Sequence, residues 1–248
     1  MLMLKAACLL LLAAVGSVHG QCGCTPNAPL SYEDLKEGPI GDMILTTEQK
    51  LGMLGLRNAQ TNIWPRRTLV YSIGSHMSGN ANTIVAALRY IEQMTNYCVS
   101  FKQRTNEYSY VYVTNGAGCS SYVGYLNRGR QNLSLDNGCF TRGTIVHEFM
   151  HALGFHHEQT RTDRDSYLII DWANILTAYC SAYYKYRGNV FGTSYDYKSC
   201  MQYPSTGFAC RPGVHVMRRR DNGGTDLGDY YNMSANDAYR IRKAYGCA

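Results

Sequence analysis

Residues 147–157 read HEFMHALGFHH, and three of their four histidines have a spacing that suits one metal ion. His147 and His151 are four residues apart, so on a helix they lie one turn apart on the same face and can bind the same ion. Gly154 can end that helix in a left-handed turn, after which the chain can return His157 as a third ligand. Three protein nitrogens leave one coordination position open, which is the arrangement of a catalytic zinc ion.

Glu148 follows the first histidine and would reach a water molecule held by the metal, not the metal itself. The alternative is a helix with ordinary buried histidines, because a bare H-E-x-x-H pattern also occurs by chance. The glycine and the third histidine at this spacing argue against chance. The motif therefore predicts a hydrolytic zinc site in which Glu148 moves protons.

The first twenty residues have the pattern of a secretory signal. Lys5 precedes an apolar run over residues 6–15, and small residues follow up to Gly20. Such a run is too short for a membrane anchor. We predict a signal peptide over residues 1–20 and a secreted, extracellular product, which the ten cysteines also favour.

Residues 21–57 are acidic overall, weakly periodic, and end at the basic residue Arg57. The pattern changes near Trp64, where strand-like and helix-like segments begin. We therefore predict a pro-segment over residues 21–57 and one catalytic domain over residues 58–248.

The net charge of +6 is not concentrated in a long run, so we predict no nucleic-acid partner. No second long apolar stretch follows the signal, so we predict no membrane partner. We also expect the protein to be a monomer. Asn132 and Asn232 begin glycosylation sequons that the secretory route would expose to modification.

Hydrophobic periodicity predicts strands first, then helices, and then a looser half, which indicates an α+β fold with a cleft between two lobes. Ser234 and Asp237 form a capping-box pattern at the start of the last helix. The predicted elements are strands at 68–73, 99–102 and 108–114, and helices at 81–96, 142–153 and from Ser234 to about 245.

The zinc motif continues as EQ at 158–159 and is followed by RTDRD at 161–165 and by Met201-Gln202-Tyr203. With these motifs the sequence closely resembles the astacin family of zinc endopeptidases, within the metzincins. The resemblance covers nearly the whole secreted chain. It implies a twisted mixed sheet plus helices in the N-terminal lobe, an irregular C-terminal lobe, and one zinc ion in the cleft. It also implies extended polypeptide substrates and an activating protease for the pro-segment.

By that resemblance His147, His151 and His157 are the zinc ligands and Glu148 is the general base. Tyr203 corresponds to the tyrosine that hydrogen-bonds the oxyanion of the tetrahedral intermediate.

Three further residues gain a role from the resemblance. Met201 would form the methionine turn beneath the zinc site. Glu158 would pair with the new N-terminus after activation, the alternative being a surface glutamate. Asp42, after Gly41, corresponds to the pro-segment aspartate that binds zinc and keeps the enzyme latent, although the family's aromatic is absent at Pro39. The alternative is a turn aspartate beside a glycine.

Four cysteines stand at family positions, which implies the disulfides Cys98–Cys247 and Cys119–Cys139.

The remaining cysteines of the secreted chain have no family counterpart. Cys22 and Cys24 are expected to leave with the pro-segment, while Cys180, Cys200 and Cys210 remain. The mature chain would then hold seven cysteines, an odd number, so at least one thiol is free or pairs between molecules.

Residues 118–122 align with the family's edge strand, which pairs with an extended substrate. Cys119, Ser120, Ser121 and Tyr122 are therefore predicted to contact the substrate.

Arg218, Arg219 and Arg220 align with the border of the pocket that follows the scissile bond. We hypothesise a preference for Asp or Glu there, because guanidinium groups pair well with carboxylates. A solvated loop is the alternative. For the whole chain, the rival to a protease is a catalytically silent binding protein, which the intact ligands and Glu148 disfavour.

Overall fold

The computed structural model describes residues 21–26, 28, 32–54, 62–188, 190–229 and 231–248. The predicted signal peptide and the predicted pro-segment end at Arg57 lie outside the described residues.

A seven-stranded mixed sheet forms the first lobe. The strands are β1 (Gly38–Ile40), β2 (Met43–Leu45), β3 (Thr68–Ile73), β4 (Ser100–Gln103), β5 (Tyr110–Thr114), β6 (Cys119–Tyr122) and β7 (Arg130–Leu135). Their spatial order is β1-β2-β6-β7-β5-β3-β4. The central strands run parallel, whereas β6, at the cleft, runs antiparallel to its inner neighbour β7.

Two long helices pack together and against this sheet. One of them, α3, buries Ile84, Ala87, Leu88 and Ile91, whose spacing of three and four residues keeps them on one face. The helices are α1 (Tyr32–Leu35), α2 (Thr47–Met53), α3 (Ala81–Met94), α4 (Arg142–Leu153) and α5 (Ala235–Ala244).

The bounds of α4 follow from its end residues. Thr141 precedes the helix, and its hydroxyl accepts a hydrogen bond from the Thr144 N–H, which satisfies one of the unpaired donors of the first turn. Gly154 ends the helix with φ of 109°, a left-handed conformation that favours glycine. These two residues set where α4 begins and ends, and therefore where the chain turns back into the cleft.

The second lobe consists mainly of short 3₁₀ turns and a two-stranded antiparallel pair, β8 (Leu168–Ile170) and β9 (Met217–Arg219). Buried tyrosines provide much of its core, which accounts for part of the high tyrosine content. Ile40, Met43, Leu45 and Met53 of the predicted pro-segment belong to the same core. The segment is therefore packed into the second lobe.

The predicted α+β architecture with two lobes is confirmed, and β3 has the predicted bounds. The last helix begins with the predicted capping box, in which Ser234 and Asp237 hydrogen-bond each other's backbone. The sequence pattern did not reveal β1, β2, α2 or β7. No helix of the described residues is long and apolar enough to cross a membrane.

The disulfides Cys98–Cys247 and Cys119–Cys139 are present, as the resemblance implied.

The expectation that Cys22 and Cys24 leave with the pro-segment is wrong. Cys22 is bonded to Cys210 and Cys24 to Cys180. The physical reason is that residues 21–24 lie against the second lobe, which brings each pair of Cα atoms within 5.6 Å. Only Cys200 is a free thiol among the described residues, and it is buried.

Candidate metal centre

Helix α4 and the turn after it bring three imidazoles to one point. The Nε2 atom of His151 lies 3.1 Å from the Nε2 atoms of both His147 and His157. The third separation, between His147 and His157, is 3.3 Å. The first two histidines lie one helical turn apart, and the left-handed Gly154 returns the chain so that His157 meets them.

Backbone carbonyls fix the orientation of two of the three imidazoles. The Nδ1 atom of His147 lies 2.7 Å from the carbonyl oxygen of Cys200, and that of His151 lies 2.7 Å from the carbonyl of Phe155. A carbonyl can only accept, so both Nδ1 atoms carry the proton and both Nε2 atoms present lone pairs. Lone pairs this close repel each other unless a cation lies between them. The arrangement therefore fits a zinc ion held by imidazole nitrogens.

Asp42 supplies the fourth donor. Its carboxylate oxygens lie 2.9 Å from the Nε2 atom of His157 and 3.3 Å from that of His147. The four ligand atoms lie within 4.8 Å of one another. Three nitrogens and one carboxylate oxygen make a donor set that suits tetrahedral zinc. Burial would raise the pKa of Asp42, but the imidazoles of His157 and His147 outweigh it and hold that pKa well below its usual range.

Gly41 allows the Asp42 carboxylate to enter the cleft. Its φ is 66°, and a Cβ atom there would lie 2.3 Å from the hydroxyl oxygen of Tyr203. A side chain at this position would therefore displace either the turn or the tyrosine. The Gly41-Asp42 pair joins β1 to β2, so a tight hairpin presents the carboxylate.

Glu148 is 1% exposed, and its Oε2 atom has no hydrogen-bond partner among the described residues. Burial, and then the charge of Asp42, raises the pKa of Glu148 well above its usual value. A buried carboxyl oxygen without a partner is costly in a core, and this one stands beside the ligand cluster.

Tyr203 also faces the cluster. Its hydroxyl donates to the Oδ1 atom of Asp42 at 3.0 Å, and its ring lies 4.3 Å from that of His157 between centroids. Met201 is 2% exposed, and its carbonyl accepts a hydrogen bond from the Glu158 N–H at 2.9 Å. This chain segment therefore forms the floor of the site.

Asp237 holds that floor in place, a role that the sequence reasoning missed. Its carboxylate accepts from the Ser199 hydroxyl at 2.6 Å and from the Cys200 N–H at 2.9 Å. The backbone of Cys200 thus connects α5 to the ligand His147, because its N–H bonds to Asp237 and its carbonyl accepts from His147. The capping-box pattern located Asp237 on the last helix, but no sequence signal pointed to its second set of contacts.

Glu158 is buried, so the alternative of a surface glutamate is wrong. Its carboxylate accepts two bonds from Arg240, at 2.6 and 2.9 Å, and one from Arg161 at 3.0 Å. The Asp196 N–H donates a fourth bond at 2.9 Å. Burial raises the pKa of Glu158, and the two guanidinium groups oppose that shift. In this form of the chain, arginines provide the positive charge beside Glu158.

The predicted substrate-binding residues Cys119, Ser120, Ser121 and Tyr122 form β6. They do not face solvent as a free edge, because β2 pairs with β6 in parallel, Met43 opposite Ser121 and Ile44 opposite Tyr122. The predicted pro-segment therefore covers the strand edge that we predicted to bind the substrate.

Arg218 and Arg219 lie on β9, and Arg220 follows them. Each already has a partner: Arg218 lies 3.4 Å from Asp171, Arg219 binds Asp221 at 2.6 Å, and Arg220 donates to a backbone carbonyl. No contact among those described joins the three arginines to the zinc ligands.

The two sequon asparagines, Asn132 and Asn232, are exposed. Asn132 lies on β7, and Asn232 accepts a hydrogen bond from Arg142 at 2.8 Å.

Comparison with known proteins agrees with this geometry. The family model of the astacin peptidases matches residues 56–246. High choriolytic enzyme 1 of Oryzias latipes is 40% identical over 179 residues, which is 71% of this chain and 65% of that protein. Zinc metalloproteinases nas-15 and nas-4 of Caenorhabditis elegans are 37% and 35% identical, over 75% and 84% of this chain. The matches span 32% of nas-15 and 68% of nas-4, so the chain corresponds to only part of these relatives.

A solved structure of high choriolytic enzyme 1, a hatching enzyme zinc-protease from the medaka fish, superposes with a TM-score of 0.70 at 37% identity. The superposition covers 75% of this chain and 94% of that one. The fold, the converging histidines and these matches are those of a family of zinc metalloproteinases. The chain belongs to the astacin family.

Proposed function

We propose that this chain is the latent precursor of a secreted zinc endopeptidase that cleaves internal bonds of extended polypeptides. The observation that carries the proposal is the convergence of three histidine Nε2 atoms with Asp42 in the fourth donor position. A catalytic zinc ion needs that position free for water, so a donor from the pro-segment suits a latent enzyme. We also propose that an activating protease cuts the chain near Arg57.

Glu148 is the proposed general base. Zinc, when bound, supplies a Lewis acid that makes water nucleophilic at neutral pH. Glu148 takes the proton of the attacking water and delivers it to the leaving amine. Displacement of Asp42 removes a like charge from beside Glu148 and so lowers its pKa, which favours the base form.

Tyr203 is the proposed oxyanion donor. In the latent form its hydroxyl is bonded to Asp42. Once Asp42 leaves, the same hydroxyl can donate to the oxyanion that develops on the substrate carbonyl. The contacts of Asp237 and Cys200 support a fixed position for the floor beneath it.

The substrate is an extended peptide that adds to β6 in place of β2. A preference for acidic residues after the scissile bond remains our hypothesis, based on Arg218, Arg219 and Arg220. Release from Asp171 and Asp221 would be needed before Arg218 and Arg219 could pair with a substrate carboxylate.

The test of the proposed function is a peptide-library digest by the fully processed protein beside its Glu148→Ala variant, with products identified by mass spectrometry. We expect cleavage by the natural sequence alone, and its abolition by a zinc chelator. No cleavage by a correctly processed, zinc-loaded protein would support the silent binding protein instead.

The same digest tests the acidic preference. We expect Asp and Glu to be enriched directly after the cleaved bonds, and the enrichment to fall in the Arg218→Ala, Arg219→Ala and Arg220→Ala variants. Absence of enrichment, or an unchanged profile in all three variants, would refute the role of these arginines.

A further inference from the structure

The start of the pro-segment is bonded covalently to the catalytic domain. Cys22–Cys210 joins residues 188 positions apart, and Cys24–Cys180 joins residues 156 positions apart. Both partner cysteines belong to the second lobe. The two bonds therefore cross the boundary that we predicted at Arg57.

Backbone hydrogen bonds reinforce this attachment. The Gly23 N–H donates to the Ile175 carbonyl at 2.9 Å, and the Thr177 N–H donates to the Gln21 carbonyl at 2.9 Å. Residues 21–24 thus pair with the second lobe as one of its own segments would.

The inhibitory part of the pro-segment, by contrast, is held by non-covalent contacts. The hairpin of β1 and β2 presents Asp42, and Met43 and Leu45 beside it are fully buried. Arg128 of the predicted catalytic domain binds Glu37 through its two terminal guanidinium nitrogens. One chain therefore contains a permanent anchor followed by a removable inhibitor.

We infer that a cut near Arg57 does not release the pro-segment but gives a two-chain molecule in which Asp42 remains tethered to the site. This inference rests on the proposed endopeptidase function. A short tether gives an effective concentration on the order of millimolar, so a segment with a micromolar dissociation constant stays about 99.9% bound. A single cut therefore leaves the enzyme inhibited.

Activation requires a second peptide-bond hydrolysis between Cys24 and Asp42. Each hydrolysis adds one water molecule and needs no oxidant or reductant. The inhibitory piece then diffuses away, while the residues before the second cut stay on the enzyme as a short disulfide-linked chain. Disulfides persist in an oxidising compartment, so the anchor is stable after secretion.

The experiment uses the zinc-loaded full chain with two engineered cleavage sites, each recognised by a different protease. Residues 55–60 are replaced by the recognition sequence of one site-specific protease, and the sequence of another is inserted after Ala28. After the first cut we expect one species under non-reducing conditions, heavier by one water molecule, which reduction separates into two chains. Activity on a peptide pool should be lower than after both cuts by about tenfold or more, and dilution should not restore it.

The matched control replaces both disulfides, Cys22→Ser with Cys210→Ser and Cys24→Ser with Cys180→Ser. After the first cut alone, we expect this variant to gain activity on dilution, because the segment is now free to dissociate. In the chain with intact disulfides, Asp42→Ala should raise the activity after the first cut, because it removes the carboxylate from the metal site, but β2 still competes with the substrate for the edge of β6.

Two results would overturn the inference: loss of the segment from the singly cut chain without reduction, or full activity of that chain. If neither the doubly cut protein nor the control variant cleaves any peptide, the proposed function fails and the inhibitory role fails with it. The non-reduced mass would still decide whether the segment is retained, so the two failures can be told apart.

Discussion

At the scale of single residues, Tyr203 connects the latent form to the active one. Its hydroxyl is bonded to Asp42 at 3.0 Å, and its side chain is 5% exposed. The residue that holds the inhibitory carboxylate is thus the one that we propose to stabilise the oxyanion. In our proposal one hydroxyl serves both forms, because each offers it a negatively charged oxygen.

We expect Tyr203→Phe to lower kcat of the fully processed enzyme by about 10²–10³-fold with little change in KM, because it removes one oxyanion donor. Steady-state kinetics on one cleaved peptide, together with the zinc content of the variant, check this. A rise in KM at unchanged kcat would show that the hydroxyl binds the ground state instead.

Arg240 supports Glu158 from the last helix. We expect Arg240→Ala to reduce the free energy of unfolding by roughly 3–5 kcal/mol, because it leaves a buried carboxylate short of a partner. Denaturant unfolding measures the loss. Lys243→Ala, an exposed change in the same helix, should stay within about 0.5 kcal/mol. Equal effects of the two changes would contradict a specific role for the buried pair.

Sequence reasoning found the residues that lie close together along the chain. The zinc ligands and Glu148 could be predicted because helical spacing alone places two of the ligands on one face. Arg240 could not, since it is 82 residues from Glu158 and its own neighbourhood resembles any exposed helix. Long-range pairs of this kind depend on the packed fold and leave no local pattern.

At the scale of elements, the end of α4 determines the third ligand. The left-handed Gly154 turns the chain back, so that His157 meets the two helical histidines. Its φ of 109° is strained for any residue with a side chain.

We expect Gly154→Ala to cost roughly 1–3 kcal/mol of unfolding free energy and to weaken zinc binding, because the strain is relieved by moving His157. Chemical denaturation and zinc titration check the two effects. Gly79→Ala is the control, since a Cβ atom there meets nothing within 4 Å. Unchanged zinc affinity in Gly154→Ala would show that the turn does not position the ligand.

Elements were predictable where they are long enough to show a period. The strand β3 and the helices α3 and α4 have apolar residues at regular intervals over six or more positions. The strands β1 and β2 have three residues each, and they form by pairing with each other and with β6. Three residues are too few to show a periodic pattern, so the sequence did not reveal this hairpin.

At the scale of the whole molecule, a zinc ion would join α4 and the turn after it to the predicted pro-segment, because the four donors come from these segments. We expect a chelator to lower the midpoint of thermal unfolding, because a bound ligand stabilises the folded form by about 4 kcal/mol at a thousand times its dissociation constant. Calorimetry with and without chelator measures the shift. A His147→Ala and His151→Ala double variant should be insensitive to the chelator, and a shift of equal size there would contradict zinc binding at this site.

The disulfide pairing was the feature of the molecule that could least be predicted from the sequence. Counting cysteines on either side of Arg57 assigned Cys22 and Cys24 to a piece that departs. The count ignored that a pro-segment packed against the second lobe brings its thiols near those of that lobe. Pairing depends on proximity in the folded chain and not on the position of a future cut.

The hairpin of β1 and β2, which pairs with β6, also affects how readily the protein self-associates. A bare sheet edge offers unpaired N–H and C=O groups to other molecules, which promotes edge-to-edge association. In the precursor β2 covers that edge, and the new outermost strand, β1, has only three residues and contains Pro39, which has no N–H to donate. We therefore expect the unprocessed chain to stay dispersed at concentrations at which the proposed processed enzyme, with β6 uncovered, self-associates.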